Sequence, residues 1–420
     1  MSTVRQRLRL GMVGGGRGAF IGAVHRIAAR LDDRYELVAG ALASDPARAR
    51  AGAAEIGIAP ERAYGSFQEM ATAEAARPDR VDAVAIVTPN HLHVAPAKAF
   101  LAAGIHVICD KPLATSLADA LDLAAVVEQS GLVFGLTHNY TGYPMVRQAR
   151  AMTAAGELGR IRVVQVEYSQ DWLTTPLERT GQKQAAWRTD PARSGPAGCL
   201  GDIGTHAYNL ARFVTGLACE ELAADLSTFV AGRPVDDNVQ VLLRFADGAR
   251  GMLWASQVAP GNENNLRLRV YGEKAGLDWR QEDPNYLRLS RYGEAPQMIR
   301  RGGPGRRGRR VGDPVPGRPS GGLPGRLCSA LPGSRRSDRG PQGRPRARPG
   351  VAARAGDRGR CRRHALHRRR AGLRAPRRCL DAPDLGRLSP GPAPASPYSF
   401  AVKSMMALTI GRAMRFAFST

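Results

Sequence analysis

The sequence has no uninterrupted apolar run of about 18 residues, the length that a membrane-spanning helix needs. Its first residues, MSTVRQRLRLGMV, pass directly into a strand pattern without the apolar core of a signal peptide. The six cysteines form no Cys-x-x-Cys pair, the spacing typical of a structural zinc site. We therefore expect a cytoplasmic protein with reduced thiols, no membrane partner and no bound metal.

Phe, Tyr, Trp, Ile, Lys and Glu are absent from residues 300–395, which contain 26 Arg, 18 Gly, 14 Pro and 5 Asp. This stretch has a net charge of +21, so nearly all of the chain's formal charge of +24 lies in it. A segment so poor in large apolar side chains cannot form an ordinary core. The basicity is therefore a property of this stretch, and the rest of the protein is almost neutral.

Three interpretations of residues 300–396 compete. A nucleic-acid-binding segment would be basic and glycine-rich, but such segments usually interleave aromatic residues for base stacking. A solvated linker would need less charge. A shifted reading frame in a GC-rich gene would yield mostly Arg, Gly, Pro and Ala, and we adopt this interpretation. It predicts a disordered segment, an unfinished second domain that aggregates or is degraded, and a tail at 397–420 whose origin the pattern leaves open.

Short β-branched runs alternate with amphipathic stretches over the first 140 residues. The predicted strands are 8–13, 36–42, 81–87, 106–109 and 132–137, and the predicted helices are 20–29, 46–56, 94–103 and 117–129. This alternation is typical of a parallel sheet with helices on both faces. We predict an α/β Rossmann domain over residues 1–140.

The pattern changes after Tyr140. A helix at 145–154 and a strand at 161–168 precede an irregular loop with most of the tryptophans, and a second helix follows near 202–215. Strands then recur at hairpin spacing, at 238–245, 249–257, 266–271 and 286–291, with Ala246-Asp247-Gly248 as the clearest turn. We predict an α+β domain with a large, mainly antiparallel open sheet over residues 141–299.

A glycine-rich stretch, Gly11-Met12-Val13-Gly14-Gly15-Gly16-Arg17-Gly18-Ala19-Phe20, lies between the first strand and the first helix. In this position a glycine turn lets backbone amides approach a pyrophosphate at a helix N-terminus. Gly14 and Gly16 fit the dinucleotide fingerprint, whereas its third glycine is displaced to Gly18 or replaced by Ala19. The context of strand, turn and helix favours a dinucleotide site over a merely flexible turn.

The end of the second strand bears on the choice of cofactor. Asp45 falls where an acidic residue can bind the adenosine ribose, whereas Ser44 and Arg48 could instead accommodate a 2′-phosphate. The predicted cofactor is therefore NAD or NADP.

Polar residues follow the third and fourth strands, in the stretches Val87-Thr88-Pro89-Asn90-His91-Leu92-His93 and Cys109-Asp110-Lys111-Pro112. Open α/β sheets bind ligands at these carboxyl ends of parallel strands. A lysine held before a proline and beside an aspartate can direct its ammonium toward a substrate hydroxyl and tune the acidity of that hydroxyl. A solvent-facing loop lysine is the alternative. The predicted cofactor contacts are Gly14, Gly15, Gly16, Gly18, Ala19, Phe20, Ser44, Asp45, Thr88, Pro89, Asn90, His93, Asp110 and Lys111.

Asp202 and His206 stand four residues apart at the start of a predicted helix, so their side chains share one face. Histidine is the usual proton acceptor near neutral pH, and oxidation of an alcohol by hydride loss requires removal of the hydroxyl proton. A helix cap beside a hydrogen-bonded histidine would show the same pair. The pair could also be half of a metal site, but no further ligand cluster at metal spacing lies nearby.

With these pieces in place, the chain resembles the glucose-fructose oxidoreductase, inositol dehydrogenase and MocA family of NAD(P)-dependent oxidoreductases over residues 8–300. The family's Glu-Lys-Pro signature appears as Asp110-Lys111-Pro112, and its Gly-Gly-Asp-x-Gly-x-His signature as Leu200-Gly201-Asp202-Ile203-Gly204-Thr205-His206. The resemblance implies that Lys111, Asp202 and His206 form the catalytic group. It also implies a sugar, cyclitol or related polyol as substrate, and a homodimer or homotetramer formed through an exposed face of the second sheet.

These roles predict a mechanism. The substrate alcohol would lie between Lys111 and His206, and His206 would take the proton as the hydride leaves for the nicotinamide. Asp202 would orient the imidazole or hold a neighbouring hydroxyl. The hydride chemistry itself belongs to the cofactor.

Further contacts are predicted around the same cleft. His138-Asn139-Tyr140 closes the first domain toward it, and a second-domain loop offers a carboxylate, a guanidinium and stacking surfaces suited to a sugar ring. The predicted substrate contacts are Asn139, Tyr140, Asp171, Trp172, Trp187 and Arg188. The alternative functions are a catalytically impaired dinucleotide-binding protein, or nucleic-acid binding through the basic segment, whose lack of aromatic residues makes nucleic acid the less favoured partner.

Overall fold

The structure, a computed structural model, describes residues 7–31 and 33–303. The predictions made for the arginine-rich segment beyond residue 303 and for the tail at 397–420 lie outside the described residues. Within those residues, no helix combines the length and apolar character needed to span a bilayer. Cys109, Cys199 and Cys219 form no disulfide.

The first sheet is parallel and has the strand order β2-β1-β3-β4-β5. Its strands are β1 (Leu8–Gly14), β2 (Tyr35–Ala41), β3 (Ala83–Val87), β4 (His106–Cys109) and β5 (Phe134–Leu136). All five residues of β3 are buried, because helices cover both faces of the sheet. The predicted Rossmann architecture is thereby confirmed.

The helices of this half are α1 (Phe20–Leu31), α2 (Pro46–Glu55), α3 (Phe67–Ala75), α4 (Val94–Ala102) and α5 (Leu117–Ser130). The sequence analysis missed α3, since its run of Ala, Glu and Gln has little amphipathic contrast. A capping signal does mark its start. Ser66 accepts a hydrogen bond from the Glu69 amide at 3.1 Å, and the Glu69 carboxylate accepts one from the Gly65 amide at 2.8 Å.

Helix α3 also carries a buried carboxylate that ties three segments together. Glu74 is fully buried and accepts hydrogen bonds from the Arg62 guanidinium at 2.5 and 3.0 Å, the Tyr64 hydroxyl at 2.9 Å and the Val81 amide at 2.9 Å. Burial, reinforced by Glu74, raises the pKa of Tyr64 to about 12. Arg62 also pairs with Asp79 at 3.5 Å, so Glu74 is the main partner of this guanidinium and Asp79 is a second one.

The second sheet has eight strands in the order β13-β12-β11-β10-β6-β9-β8-β7, antiparallel except where β6 pairs with β9. Its strands are β6 (Ile161–Ser169), β7 (Cys219–Ser227), β8 (Asn238–Phe245), β9 (Arg250–Ser256), β10 (Asn265–Gly272), β11 (Ala275–Arg280), β12 (Tyr286–Arg291) and β13 (Gln297–Arg300). The helices of this half are α6 (Pro144–Ala154), α7 (Lys183–Arg188), α8 (Pro191–Ser194) and α9 (Thr205–Thr215). The mainly antiparallel sheet and the Ala246–Gly248 turn between β8 and β9 agree with the prediction.

Helices α6 and α9 pack on one face of this sheet and form its core. The alternation of β8 follows from this one-sided cover, because Val239, Val241 and Leu243 are buried while Leu242 is exposed. The sequence analysis missed β7, β11 and β13. β7 and β13 are edge strands whose side chains are mostly exposed, so neither shows a clear apolar alternation. β11 does alternate, with Ala275, Leu277 and Trp279 buried, but it is only six residues long.

We predict that Glu74→Ala lowers the free energy of unfolding by about 3–5 kcal/mol, because it leaves the buried Arg62 charge without its main partner. Urea unfolding followed by circular dichroism measures this loss. The control is Asp122→Ala, which removes an ion pair between Asp122 and Lys98 at the surface and should cost less than about 1 kcal/mol. Equal effects of the two substitutions would contradict the account of the cluster.

Candidate active site

The glycine turn joins β1 to α1 by a backbone path that side chains would obstruct. Gly14, Gly15 and Gly18 have φ angles of 77°, 74° and 77°, in the left-handed region that favours glycine. A Cβ on Gly16 would lie 2.7 Å from the carbonyl oxygen of Leu42. Ala19 and Phe20 complete the turn and begin α1.

Helix α1 packs directly on this turn through Gly22. A Cβ on Gly22 would lie 2.3 Å from the Gly15 carbonyl oxygen, which also accepts a hydrogen bond from Arg26 Nη1 at 2.9 Å. In a dinucleotide-binding fingerprint the third glycine allows this close packing between the helix and the turn. Here Gly22 has that role, although the spacing of the glycines in the sequence did not indicate it. In the described part of the chain the amides of Arg17 and Gly18 donate to no protein acceptor, which leaves them available to an anion.

Ser44 and Asp45 lie beyond β2, at the start of α2. Asp45 is the N-cap of this helix, and its carboxylate accepts a hydrogen bond from the Arg48 amide at 2.7 Å. Ser44 and the Arg48 side chain are exposed. The Asp45 carboxylate therefore caps the helix through Oδ1, and the Ser44 hydroxyl and the Arg48 guanidinium lie beside it.

Two buried side chains fix the loop after β3 by hydrogen bonds to neighbouring backbone carbonyl groups. His93 is fully buried and its ring nitrogens face the carbonyl oxygens of Pro112 at 2.7 Å and Thr88 at 3.0 Å. The Asn90 amide group donates to the Ser194 carbonyl of the second domain at 3.0 Å. Of the predicted cofactor contacts, His93 and Asn90 therefore hold loops together, and Thr88 and Pro89 form the loop surface.

Asp110, which stands in place of the family's glutamate, is held by two groups from outside its own loop. His25 of α1 approaches its Oδ1 at 3.0 Å, and the Thr137 hydroxyl donates to the same oxygen at 2.6 Å. Burial alone would raise the pKa of Asp110, but these two bonds hold it below its usual range. His25, absent from the sequence-based site, thus links the helix of the glycine turn to the residue before Lys111.

Lys111 and Asp202 meet across the two domains. The Lys111 ammonium donates to Asp202 Oδ1 at 2.8 Å and also to the Asp202 carbonyl oxygen. Asp202 Oδ2 accepts bonds from Arg188 Nε at 3.2 Å and Gln257 Nε2 at 3.0 Å. Burial alone would raise the pKa of Asp202, but Lys111 and Arg188 outweigh it and hold the pKa well below its usual range. Surrounded by donors only, Asp202 is a fixed anion and not a proton carrier.

His206 lies one helical turn beyond Asp202, where a wide π-type turn at Leu200–Gly204 leads into α9. Its ring is 8% exposed and packs edge-on against Tyr140, at 4.8 Å between centroids, and His138, at 5.6 Å. The Nδ1 atoms of both histidines are buried and have no hydrogen-bond partner in the described part of the chain. Among the described residues, Asp202 forms no hydrogen bond with the His206 imidazole. The structure therefore does not show the first of its two predicted roles, which was to orient the imidazole.

The electrostatics around the two histidines keep both rings neutral. Burial lowers the pKa of His206 well below 6.5, and the Lys111 ammonium and His138 lower it further against the opposing charge of Asp202. Burial and Lys111 lower the pKa of His138 to about 3. A neutral imidazole can accept a proton, which is the state a general base requires.

A hydrogen-bonded chain of buried side chains forms the floor beneath these groups. Gln257 Nε2 lies 3.4 Å from Gln170 Oε1, and Gln170 Nε2 donates to Asn264 Oδ1 at 2.9 Å. The Tyr168 hydroxyl donates to the same Asn264 oxygen at 2.6 Å and is 2.5 Å from the Tyr140 hydroxyl. Tyr140, predicted to contact substrate, is therefore a buried support for His206. Sequence reasoning missed Gln170, Gln257 and Asn264, because glutamine and asparagine at strand ends show no distinctive pattern.

Of the remaining predicted substrate residues, Trp172 and Trp187 lie around Arg188. Its guanidinium stacks on the Trp187 ring at 4.3 Å, lies 5.9 Å from the Trp172 ring, and donates to Gln184 Oε1 at 2.6 Å. Trp172 is fixed by a bond from its indole nitrogen to Gln170 at 3.0 Å. Asp171 accepts a bond from the Gly261 amide at 3.3 Å, and Asn139 lies exposed in the turn after β5.

The segment that carries Asp202 is itself held by a second carboxylate. Asp236, which is 2% exposed, accepts bonds from the amides of Gly198 at 2.7 Å and Leu200 at 2.8 Å. A Cβ on Gly198 would lie 2.1 Å from the Asp236 carbonyl oxygen, so the turn needs glycine there. Among the described residues, no group of three His, Cys, Asp or Glu side chains is arranged to hold a metal.

We predict that the NMR titration midpoint of His206 lies below 6.5 in the intact protein. Lys111→Met should raise this midpoint, because it removes a cation that disfavours the imidazolium, and Asp202→Asn should lower it. Since the unfolded chain takes up this proton near pH 6.5 and the folded chain does not, the free energy of unfolding should fall as the pH drops below that value. An unchanged midpoint in both variants, with Lys98→Met as control, would contradict this account.

Comparison with known proteins matches both domains. Residues 8–138 match the family described as "Oxidoreductase family, NAD-binding Rossmann fold", and residues 146–278 match "GFO/IDH/MocA C-terminal domain". The crystal structure of an oxidoreductase from Sinorhizobium meliloti is 57% identical, with a TM-score of 0.65 over 72% of this chain and 80% of that chain. An inositol dehydrogenase homolog from Azotobacter vinelandii, complexed with NAD+, is 36% identical, with a TM-score of 0.74 over 78% of this chain and 85% of that chain.

A curated relative, the levoglucosan dehydrogenase of Pseudarthrobacter phenanthrenivorans, is 30% identical over 68% of this chain and 76% of its own length. The glycine turn, the Lys111 loop and the Asp202 helix all fall within the matched residues. The chain therefore belongs to the GFO/IDH/MocA family of NAD-binding oxidoreductases.

Proposed function

We propose that this protein is an NAD(P)-dependent dehydrogenase that exchanges a hydride between the nicotinamide and a ring hydroxyl of a cyclitol or sugar. The observation that carries the proposal is the Lys111–Asp202 ion pair, which joins the two domains beside the neutral imidazole of His206. The relatives support the substrate class, since one is a levoglucosan dehydrogenase and the A. vinelandii homolog has also been crystallised with NADH and myo-inositol.

The residues present fit a dinucleotide. The path at Gly14, Gly15 and Gly18 needs glycine, and the amides of Arg17 and Gly18 are open to phosphate oxygens. When bound, the nicotinamide supplies the hydride acceptor or donor. The helix-capping bond uses only Oδ1 of Asp45, so selection between NAD and NADP would rest on Asp45 Oδ2, which can accept from a ribose hydroxyl, and on Ser44 and Arg48, which suit a 2′-phosphate.

His206 acts as the general base in this proposal. Its ring is neutral at physiological pH, so it can accept the hydroxyl proton as the substrate is oxidised and return it during reduction. Its buried Nδ1 atom has no partner among the described residues, and an unsatisfied buried polar atom is costly unless a bound ligand or water completes its surroundings.

Lys111 holds and polarises the reacting hydroxyl. Two hydrogen bonds to Asp202 account for two of its three donor positions in the described residues, which leaves the third for the substrate oxygen. Asp202 sets the direction of this ammonium and balances its charge. Arg188, stacked on Trp187, would face a neighbouring hydroxyl of the ring.

The test is the appearance of NADH absorbance with a panel of inositols, aldoses and anhydrosugars. His206→Asn should lower kcat by roughly 10²- to 10⁴-fold, the contribution of a general base, while the affinity for NADH stays near that of the unchanged protein. Lys111→Met should lower kcat and kcat/KM together, because it removes a contact strengthened in the transition state.

Lys98→Met is the matched control, since it removes a surface ammonium that pairs with Asp122 on the outer helices. Turnover that survives both His206→Asn and Lys111→Met unchanged would refute the proposed roles. Binding of NADH without turnover of any compound in the panel would refute the substrate class.

We also infer that the protein assembles into a homodimer or homotetramer through the open face of the second sheet. Leu242 and Met252, 63% and 46% exposed, lie opposite each other on β8 and β9, and Val163 is exposed on β6. On the same sheet Arg267 bonds Asp278 at 2.7 Å. Exposed apolar side chains beside an ordered ion pair are features of the centre and rim of a subunit interface.

Leu242→Arg should convert the assembly to monomers, because it places a charge at the centre of an apolar contact. Sedimentation velocity measures the change, and Leu121→Arg, at an equally exposed leucine of α5, is the control. A monomeric unchanged protein, or an assembly unaffected by Leu242→Arg, would contradict this interface.

A further inference from the structure

The second domain sends one segment across the carboxyl edge of the first sheet. This segment, residues 183–195, comprises α7 and α8, and we call it the crossing segment. Its far end is attached to the loop after β3, where the Ser194 carbonyl accepts the Asn90 amide at 3.0 Å and the Arg193 carbonyl lies 3.2 Å from His91 Nδ1. The carboxyl edge of the sheet is where the cofactor of an open α/β fold lies.

The two ends of α7 reach two different parts of the site. At its C-terminal end Arg188 bonds Asp202, in the catalytic cluster. At its N-terminal end, the Lys183 ammonium nitrogen lies 4.0 Å from the position that a Cβ on Gly18 would occupy. A six-residue helix is roughly 9 Å long, so α7 spans the interval between the catalytic cluster and the glycine turn.

No carboxylate of the described residues pairs with the Lys183 ammonium beside the glycine turn. Among the described residues Lys183 forms no ion pair, and the nearby Arg17 pairs with Glu55 at 3.6 Å. The turn itself contributes the open amides of Arg17 and Gly18 and the N-terminus of α1. An exposed ammonium, two open amides and a helix N-terminus thus surround one position, and all of them favour an anion.

We propose that Lys183 is a cofactor-binding residue, which completes the pyrophosphate site of the glycine turn from the second domain. The pyrophosphate would then be held between the turn on one side and the crossing segment on the other. Binding the cofactor would tie the second domain to the first through this contact as well as through the Lys111–Asp202 pair. This proposal rests on the dinucleotide site of the proposed function but not on the identity of the substrate.

The test is equilibrium binding of NADH and of ADP-ribose to the full chain, measured by fluorescence and calorimetry. Lys183→Gln removes the charge and keeps the length of the side chain, so it should weaken both ligands by about tenfold, the value of one charge-assisted contact to phosphate. Lys183→Glu should weaken both further. The loss should shrink at high salt, because the contact is solvent-accessible.

The control is Lys274→Gln, at an exposed lysine of the second domain in the turn between β10 and β11, which should bind both ligands as the unchanged protein does. Unchanged binding in Lys183→Gln would overturn the proposal. Weakened NADH with unchanged ADP-ribose would also overturn it, because the contact would then be to the nicotinamide half. Tenfold weaker binding of both ligands, in a protein that turns over no polyol, would support Lys183 and refute only the proposed substrate.

Discussion

The site depends on one interaction, the ion pair between Lys111 at the end of β4 and Asp202 at the entrance to α9. It is the point at which the two sheets put opposite charges within hydrogen-bond distance. A partly buried pair of this kind is worth little unless its remaining donors and acceptors are satisfied. Here Arg188 and Gln257 complete the hydrogen bonding of the carboxylate, so Asp202 stays ionised. Burial, reinforced by the Lys111 ammonium, keeps His206 neutral.

Around the pair, supports come from both domains. His25 and Thr137 hold Asp110, next to Lys111, while Asp236 holds the turn before Asp202 through the amides of Gly198 and Leu200. Beneath them the chain from Gln257 through Gln170, Asn264 and Tyr168 to Tyr140 ends on the ring of His206. Each side chain in that chain is fixed by donors and acceptors on both sides, which limits the rotamers open to the reacting groups.

Sequence reasoning succeeded where a pattern is local. The alternation of strands and amphipathic helices predicted the Rossmann sheet, and the glycine turn, Lys111, Asp202 and His206 were all visible as short motifs. It failed where the structural signal is weak or spread along the chain. Strands β7 and β13 are edges with mostly exposed side chains, α3 is rich in alanine, and Gly22 acts through a contact with Gly15 that no fingerprint spacing describes.

Several side chains acquired a function only through folding. Asp45 is engaged as a helix cap, His93 as a brace and Tyr140 as a buried support, although their positions in the sequence suggested direct contact with a ligand. The amino-acid sequence by itself determined the two sheet types and the presence of an ammonium, a carboxylate and an imidazole, because periodicity and short motifs are written in neighbouring residues. The tertiary structure alone decided which of these groups meet, which protonation states they adopt and that Lys183 lies beside Gly18, since burial and contact between residues far apart in the chain exist only once both domains are folded.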